Sequence, residues 1–157
     1  MRRSLPGLVV TAAAAILLGG CASIPADPDG TLERVQGGTL RVGVTENAPW
    51  VVLGEGDDPT GTEPELVRAF AERVDAEVEW TQGSETRLAD ALEGGELDLV
   101  VGGLLDDTPW AEVAAVTRPY AEVNTANGTE RHVMLTPMGE NAFLVELETF
   151  LDAEAAQ

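Results

Sequence analysis

The chain has 157 residues, enough for one domain with a substantial core, and it carries 28 acidic residues against 9 arginines and no lysine. Its net charge of −19 argues against nucleic acid and anionic membrane surfaces as partners. Because Cys21 is the only cysteine, the chain has no internal disulfide and no other thiol for chemistry.

Residues 1–20 predict a signal peptide. Two arginines form a basic start, and the apolar run Leu8–Leu18 is too short for a membrane span. Small residues then precede Cys21, as in bacterial lipoprotein signals, so we expect Cys21 to be lipidated and to anchor the chain. The alternative is an ordinary signal peptide with a cysteine near its cleavage site. Residues 21–38, rich in Pro, Asp, Gly and Ala, predict a flexible tether.

Residues 39–154 predict a single α/β domain. Its first elements are a strand at Thr39–Val44, a helix starting at a Thr62–Glu65 capping box, a short strand at Val78–Trp80, a helix capped by Ser84, and a buried strand at Leu97–Val101. Strands and helices that alternate over short links give a mostly parallel sheet covered by helices on both faces.

The last third of the chain predicts a different pattern. Two short strands, Ala121–Thr125 and Glu130–Thr136, flank Asn127-Gly128, a favoured two-residue hairpin turn. A helix with an apolar face follows from about Asn141. The fold class predicted is therefore a three-layer helix-sheet-helix domain that ends in an antiparallel hairpin and a helix.

The buried strand at Leu97–Val101 ends at Gly102-Gly103, and in open α/β sheets ligands bind at that end of a strand. The Asp106-Asp107 pair either favours a cationic ligand or caps a helix, since Asp107 or Thr108 precedes Pro109 as an N-cap residue would. For Asp107 the capping role is favoured. His132, the only histidine, predicts a partly buried or hairpin-face residue rather than a general base. We accordingly predict no enzyme activity, no catalytic residue and no cofactor. No ligand spacing predicts a metal site.

Several segments together resemble family 3 of the extracytoplasmic solute-binding proteins, the type II periplasmic binding proteins that serve ABC importers for amino acids. Their order along the chain matches the family's opening strand, first ligand loop, helix start, approach to the third strand, later signatures and return segment: Thr39–Val44, Asn47–Trp50, Gly61–Leu66, Leu92–Asp98, Gly102–Leu104, Thr117–Tyr120 and His132–Phe143. The alternative is an unrelated small α/β domain that shares these patterns.

The resemblance implies the first lobe of such a protein without the second. Two-lobed members clamp the solute between lobes joined by two adjacent hinge strands, and here the hairpin at Asn127-Gly128 joins the corresponding strands directly. By position, the resemblance implies ligand contacts at Asn47, Trp50, Gly102, Gly103, Leu105 and Trp110. Trp50 either offers the solute an aromatic face or plugs the mouth of the core.

Two of these positions depart from the family. Leu105 stands where a Thr or Ser usually bonds the amino acid, and Trp110 stands where an arginine usually pairs with its carboxylate. We therefore expect the site to differ from a free-amino-acid site, with a cationic or aromatic-compatible solute as one option.

We predict a membrane-anchored, extracytoplasmic solute-binding lipoprotein, linked to an ABC-type importer for amino acids or related small solutes. A single lobe offers an open groove, so we expect weak binding unless a homodimer of facing lobes forms. The alternative is a protein-interaction lipoprotein that keeps the lobe as a scaffold and binds no small molecule.

Overall fold

A computed structural model describes residues 26–56 and 58–156 of the chain. In chain order the elements are α1 (Thr31–Val35), β1 (Thr39–Val44), α2 (Thr62–Arg73), β2 (Glu77–Gln82), α3 (Glu85–Glu93), β3 (Leu99–Leu105), a 3₁₀ helix (Pro109–Glu112), β4 (Ala114–Val116), β5 (Ala121–Thr125), β6 (Gly128–Pro137) and α4 (Asn141–Ala155). The signal peptide and lipidation predicted for residues 1–21 lie outside the described residues. Within the described residues, no helix is long and apolar enough to cross a membrane.

The strands form one mixed sheet in the order β2-β1-β3-β6-β4, with β5 paired to β6. β1 is parallel to β2 and to β3, as expected for strands linked by helices. β6 is antiparallel to β3, β4 and β5, so the return of the chain makes this half of the sheet antiparallel. The predicted α/β fold class, with helices on both faces and a hairpin after the first lobe, is confirmed.

Each face of the sheet has its own apolar core. On one face, α2 and α4 pack aromatic side chains against the strands, and Phe70 contacts both Phe143 and Phe150 through its ring. On the other face, Leu88 and Leu92 of α3 cover the opposite side of β3 and β6. Alternation along β3 sends Leu99 and Val101 to the first core and Val100 to the second, so β3 is buried on both faces.

The segment before β1 packs on the domain, and the predicted flexible tether is therefore wrong for residues 26–38. Val35 of α1 is fully buried in the core. The Glu140 carboxylate accepts hydrogen bonds from the backbone N–H groups of Asp29 and Thr31, at 3.0 and 2.9 Å. Asp27 in turn accepts from Ala142 N at the start of α4, at 2.7 Å. These reciprocal carboxylate caps fix the segment although it has little hydrophobic periodicity.

Helix α2 begins as predicted at Thr62, but Thr62 does not cap it. Gly61 is the N-cap residue, and no side chain caps the helix. Backbone carbonyls of the preceding loop replace a side-chain cap, since Glu63 N donates to the Trp50 carbonyl at 3.1 Å. A Cβ on Gly61 would lie 2.5 Å from that oxygen, so glycine is needed for this close approach.

Two strand boundaries also differ from the prediction. β3 does not end at Gly102-Gly103 but continues to Leu105, with a register shift against β6 between Val100 and Leu104. The irregularity accommodates Gly103 at φ +63°, a left-handed conformation that suits glycine. In the hairpin, Gly128 pairs with Thr125, so the two turn residues are Ala126 and Asn127 rather than Asn127 and Gly128.

Candidate functional site

The loop after β1 is held in place by its own backbone. Asn47 and Val51 exchange two backbone hydrogen bonds, of 2.9 and 3.0 Å, and the carbonyls of Pro49 and Trp50 accept from the first two N–H groups of α2. The Asn47 side chain donates to the Gly102 carbonyl at 2.9 Å, which joins the loop to β3. The loop is thus tied to two neighbouring elements at the carboxyl end of the parallel strands, where ligands bind in such sheets.

Gly103 of β3 lies directly against this loop. A Cβ there would lie 2.6 Å from the Asn47 amide nitrogen and 2.7 Å from the Trp50 ring, so any other residue would displace both side chains. The Gly103 N–H donates to Glu63 Oε2 at 2.8 Å. Glycine therefore lets the strand backbone itself form part of the surface at this edge.

Glu63 is a buried carboxyl at the start of α2. Its other oxygen, Oε1, accepts a hydrogen bond from the Tyr120 hydroxyl at 2.5 Å. Both donors to Glu63 are neutral, and burial raises the pKa of its carboxyl, although the bonds from Tyr120 and Gly103 oppose that shift. Burial and the neighbouring Glu63 raise the pKa of the Tyr120 hydroxyl as well. Glu63 thus links α2, β3 and Tyr120 directly behind the loop.

Trp50 is the centre of an aromatic group. Its ring meets the Tyr120 ring edge to face, with centroids 6.2 Å apart at 82°. Its face lies over the imidazole of His132, with centroids 3.8 Å apart at 33°. Trp50 is therefore packed at the mouth of the core and also lines the surface there; that its ring offers a solute an aromatic face stays a prediction.

His132 lies beneath Trp50 with only 2 % of its surface exposed. Neither ring nitrogen has a hydrogen-bond partner among the described residues. Burial lowers the pKa of the imidazole, while the backbone of Gly103 and the Glu130 carboxylate oppose the shift. The sequence prediction of a partly buried histidine understated this burial, because the cover comes from Trp50, far away in the chain.

These groups surround an open cavity of about 600 Å³. The loop and β3 contribute the residues Asn47, Trp50, Gly103 and Leu105, together with Ala48 and Pro49. The hairpin β5–β6 contributes the facing wall through Val123, Glu130 and His132. A cavity of this size, mostly apolar with a few converging polar groups, matches a small-molecule site.

The structure brings together four of the six predicted ligand residues, Asn47, Trp50, Gly103 and Leu105. Gly102 lies behind the cavity surface, where its carbonyl holds Asn47. Trp110 lies elsewhere: it packs against the core under α3, and its indole N–H donates to Glu85 at 3.2 Å. Contact of any of these residues with a solute stays a prediction.

The turn before Trp110 corrects a further expectation. Thr108 is the N-cap residue of the 3₁₀ helix, and its hydroxyl accepts from Trp110 N at 3.4 Å, so the capping role favoured for Asp107 is wrong. Pro109 follows as the first helical residue, as predicted. Trp110 bonds Glu85 instead, so this side chain, which stands at the position of the family's arginine, does not line the cavity.

Sequence reasoning missed Glu63, Tyr120, Val123 and Glu130 as residues of this region. An acidic residue in the first turn of a helix is ordinarily explained by the helix dipole, so Glu63 gave no signal by itself. For Val123 and Glu130, the register of the predicted hairpin did contain a usable signal. Cross-strand pairs share a face of the sheet, and the pairs Val123–Glu130 and Ala121–His132 place these side chains together.

A second charged cluster lies at the opposite end of the strands. Asp98, fully buried just before β3, accepts hydrogen bonds from the guanidinium groups of Arg34 and Arg41, with closest distances of 2.5 and 2.6 Å. The two arginines hold the pKa of the Asp98 carboxyl below its usual range despite its burial. No group of side chains in the described part of the chain could hold a metal ion.

Solved structures with the same fold are solute-binding proteins. A single-residue variant of the arginine-bound form of domain 1 from TmArgBP superposes with a TM-score of 0.72 at 18 % identity, over 81 % of this chain and 99 % of that one. The L-cystine solute receptor of Neisseria gonorrhoeae, in its unliganded open conformation, gives a TM-score of 0.66 at 14 % identity, over 80 % of this chain and 91 % of that chain. The fold is therefore that of a periplasmic solute-binding lobe.

Residues 40–154 match the model of the bacterial extracellular solute-binding proteins, family 3. The chain belongs to this family, as its sequence motifs indicated. Proteins of the family are extracytoplasmic, and the fold supports a solute-binding role.

The curated relatives it matches carry an enzyme's name. Membrane-bound lytic murein transglycosylase F of Vibrio cholerae is 36 % identical over 91 residues, 57 % of this chain and 17 % of the relative. The protein of that name from Stutzerimonas stutzeri is 31 % identical over 113 residues, 70 % of this chain and 22 % of the relative. The chain thus spans about a fifth of the length of these relatives.

These relatives contradict the prediction that the chain is no enzyme, since they are named as a lytic transglycosylase. The prediction failed because it considered only nucleophiles, bases and metal ligands inside one lobe. Such a search cannot detect that a solute-binding domain is part of a longer enzyme whose catalytic residues lie outside the lobe.

Proposed function

We propose that this chain is an extracytoplasmic solute-binding lobe that takes a small molecule in the cavity between the Asn47–Trp50 loop and the β5–β6 hairpin. The observation that carries the proposal is the composition of this cavity. It combines an aromatic wall at Trp50, a strand segment at Gly103 that has no side chain, and a buried imidazole at His132 without a hydrogen-bond partner among the described residues.

A single lobe is a sufficient scaffold for such a site. The structurally similar domain 1 from TmArgBP is described as arginine-bound, and this chain covers 99 % of it. In this chain the hairpin adds Val123, Glu130 and His132 as a wall opposite the loop, so the cavity has two sides without a second lobe. Its open mouth favours weak binding, and a homodimer of facing lobes would close it.

The cellular setting has two candidates. A lipid-anchored lobe linked to an ABC-type importer follows from the family's ordinary role. The transglycosylase relatives favour a second setting, in which the lobe senses a solute for an enzyme that acts on murein. The two settings predict different solutes: amino acids and related small molecules for an importer, and murein fragments for a cell-wall enzyme.

The proposal is tested by thermal unfolding of the full chain with amino acids, polyamines, compatible solutes and soluble murein fragments. A solute at about 100 times its Kd should stabilise the fold by about 2.7 kcal/mol. Trp50→Leu should abolish the shift, whereas Trp110→Leu is the matched control, because Trp110 packs away from the cavity. Sedimentation with and without the solute reports whether a second copy joins.

Absence of a shift with every solute class would overturn the proposal and favour the alternative of a protein-interaction scaffold. Equal loss of the shift in both tryptophan variants would place the site elsewhere.

A further inference from the structure

The inner face of the β5–β6 hairpin carries an acidic and a basic side chain side by side. The strand register places Val123 opposite Glu130 and Ala121 opposite His132, and both pairs face the cavity side of the hairpin. The intervening Arg131 points to the other face, where it forms an ion pair with Asp106. The hairpin therefore presents Glu130 and His132 to the cavity and removes the neighbouring cation from it.

His132 needs a partner that the described residues do not supply. Both of its ring nitrogens are buried, and in the described part of the chain neither makes a hydrogen bond of ordinary geometry, although the Gly103 backbone is near enough to influence the imidazole. Buried polar groups are ordinarily paired. Stacking against Trp50, with centroids 3.8 Å apart, fixes the orientation of the ring. A ligand that donates a hydrogen bond into the cavity would satisfy one of these nitrogens.

Glu130 supplies a negative charge beside this imidazole. Its Oε2 lies 4.0 Å from Nε2 of His132, and its side chain keeps 41 % of its surface exposed. One donor nitrogen can bridge two atoms at this separation once Nε2, which is shielded from solvent in this structure, gains access to the cavity through a small shift of the hairpin or the Trp50 ring. No arginine is among the residues that line the cavity, and the chain has no lysine, so a carboxylate in the cavity would have no cationic partner there.

We propose that Glu130 and His132 together hold the cationic head of an amine that lacks a carboxylate, such as a diamine or a guanidino-amine. The ammonium or guanidinium N–H groups donate to the Glu130 carboxylate and to a neutral His132 nitrogen, and the carbon chain lies on the Trp50 ring. This proposal rests on the proposed function and names the class of solute for that cavity.

Protonation of His132 should release such a solute. The groups that face His132 are Glu130 of β6, the Trp50 ring, the Gly103 backbone and Ala121 of β5, with the Glu63–Tyr120 pair behind Gly103. An imidazolium would pair with Glu130 itself and repel an incoming cation. Because burial lowers the pKa of His132, the imidazole stays neutral at neutral pH, and affinity should fall on acidification.

The test is calorimetric titration of the full chain with two matched pairs, agmatine against L-arginine and cadaverine against L-lysine, which differ by one carboxylate. At neutral pH we expect each amine to bind at least about tenfold tighter than its amino acid, a difference of about 1.4 kcal/mol. Glu130→Gln should weaken amine binding about tenfold or more. Glu122→Gln removes the same charge from the opposite face of the hairpin and should change binding less than about threefold.

The pH arm uses His132→Gln. Amine affinity of the unmodified chain should stay nearly constant down to about pH 6.5 and fall only at lower pH, because burial lowers the pKa of His132 below its ordinary value. His132→Gln should bind more weakly at neutral pH and lose most of that acid dependence. Tighter binding of the amino acids, or equal effects of Glu130→Gln and Glu122→Gln, would overturn this assignment and leave the solute-binding lobe standing. If neither amines nor amino acids nor any other solute bind, both proposals fail.

Discussion

Two fully buried carboxyl groups lie at opposite ends of the same parallel strands, and their pKa values shift in opposite directions. Asp98 is held by two guanidinium groups, and its pKa is lowered. Burial raises the pKa of Glu63, whose hydrogen bonds come from neutral donors such as the Tyr120 hydroxyl and the Gly103 N–H. Both are equally inaccessible to solvent, so the difference comes from their partners.

The contrast distinguishes an end of the sheet whose buried charge is compensated from the end that carries the candidate site. At the Asp98 end, the charge is compensated and every oxygen has a donor, which joins α1 and β1 to the start of β3. At the Glu63 end, the polar groups are not compensated by charge. The buried Glu63 carboxyl lies behind the loop, and Glu130 and an imidazole without a hydrogen-bond partner among the described residues line an open cavity. Uncompensated polar groups beside a cavity are typical of binding sites.

The largest effect is expected for Asp98→Asn, which keeps the shape and removes the charge. We expect a loss of about 3 kcal/mol in the free energy of unfolding, because two arginines lose their shared counter-ion. The loss stays at the low end of such effects, since Arg34 and Arg41 keep 42 % and 31 % of their side-chain surface exposed and can be hydrated.

Urea unfolding as a function of pH checks this prediction. A carboxyl with a lowered pKa contributes stability above its ordinary pKa and loses it as the pH falls through its folded-state pKa. The deficit of Asp98→Asn should therefore be full at neutral pH and shrink in acid. A deficit that does not change with pH would show that shape and hydrogen bonding, not charge, account for the role of Asp98.

A smaller effect, of about 2 kcal/mol, is expected for Gly103→Ala at the cavity end. The added methyl group would lie 2.6 Å from the Asn47 amide nitrogen and 2.7 Å from the Trp50 ring, so both of these side chains must move. Solute-induced stabilisation should be lost together with this stability.

Gly95→Ala is the matched control for Gly103→Ala. Gly95 lies at the opposite end of the sheet with a similar backbone angle, φ +73°, but a Cβ there would meet nothing within 4 Å. Gly95→Ala should lower the free energy of unfolding by about 1 kcal/mol, because alanine is strained in the left-handed conformation. Solute binding should be unchanged. If the two variants lose equal stability and both keep binding, the close contact at Gly103 has no part in shaping the cavity.

Local sequence patterns were sufficient for most of the fold. Alternation at Thr39–Val44 and the apolar stripe through Phe70 gave β1 and α2, because periodicity depends only on near neighbours. The glycine pair at 102–103 indicated the right end of the sheet. It did not indicate that β3 continues past a register shift, since a glycine that interrupts a ladder and one that ends a strand look alike in sequence.

The features that the sequence did not predict depend on contacts between residues far apart in the chain. Glu140 holds the segment before β1 from 109 positions away, so that segment resembled a tether by composition alone. The burial of Glu63 depends on Tyr120, 57 positions along the chain. The orientation of Trp110 was carried over from a family position, and the cap at Thr108 with the bond to Glu85 decides it instead.

The smallest change is expected for Glu63→Gln, which distinguishes the two carboxyl groups most sharply. The amide oxygen can still accept from Gly103 N–H and the amide nitrogen can donate to the Tyr120 oxygen, so stability at acid pH should stay within about 1 kcal/mol of the parent chain. A carboxyl with a raised pKa costs stability as the pH rises, because the unfolded chain ionises first. The variant lacks this cost, so its stability relative to the parent should improve from acid to neutral pH, whereas that of Asp98→Asn should worsen. Urea unfolding of both variants at the two pH values measures the signs. If Glu63→Gln also worsens with rising pH, Glu63 is stabilised as a carboxylate in the same way as Asp98, and the two ends of the sheet do not differ in the way their partners indicate.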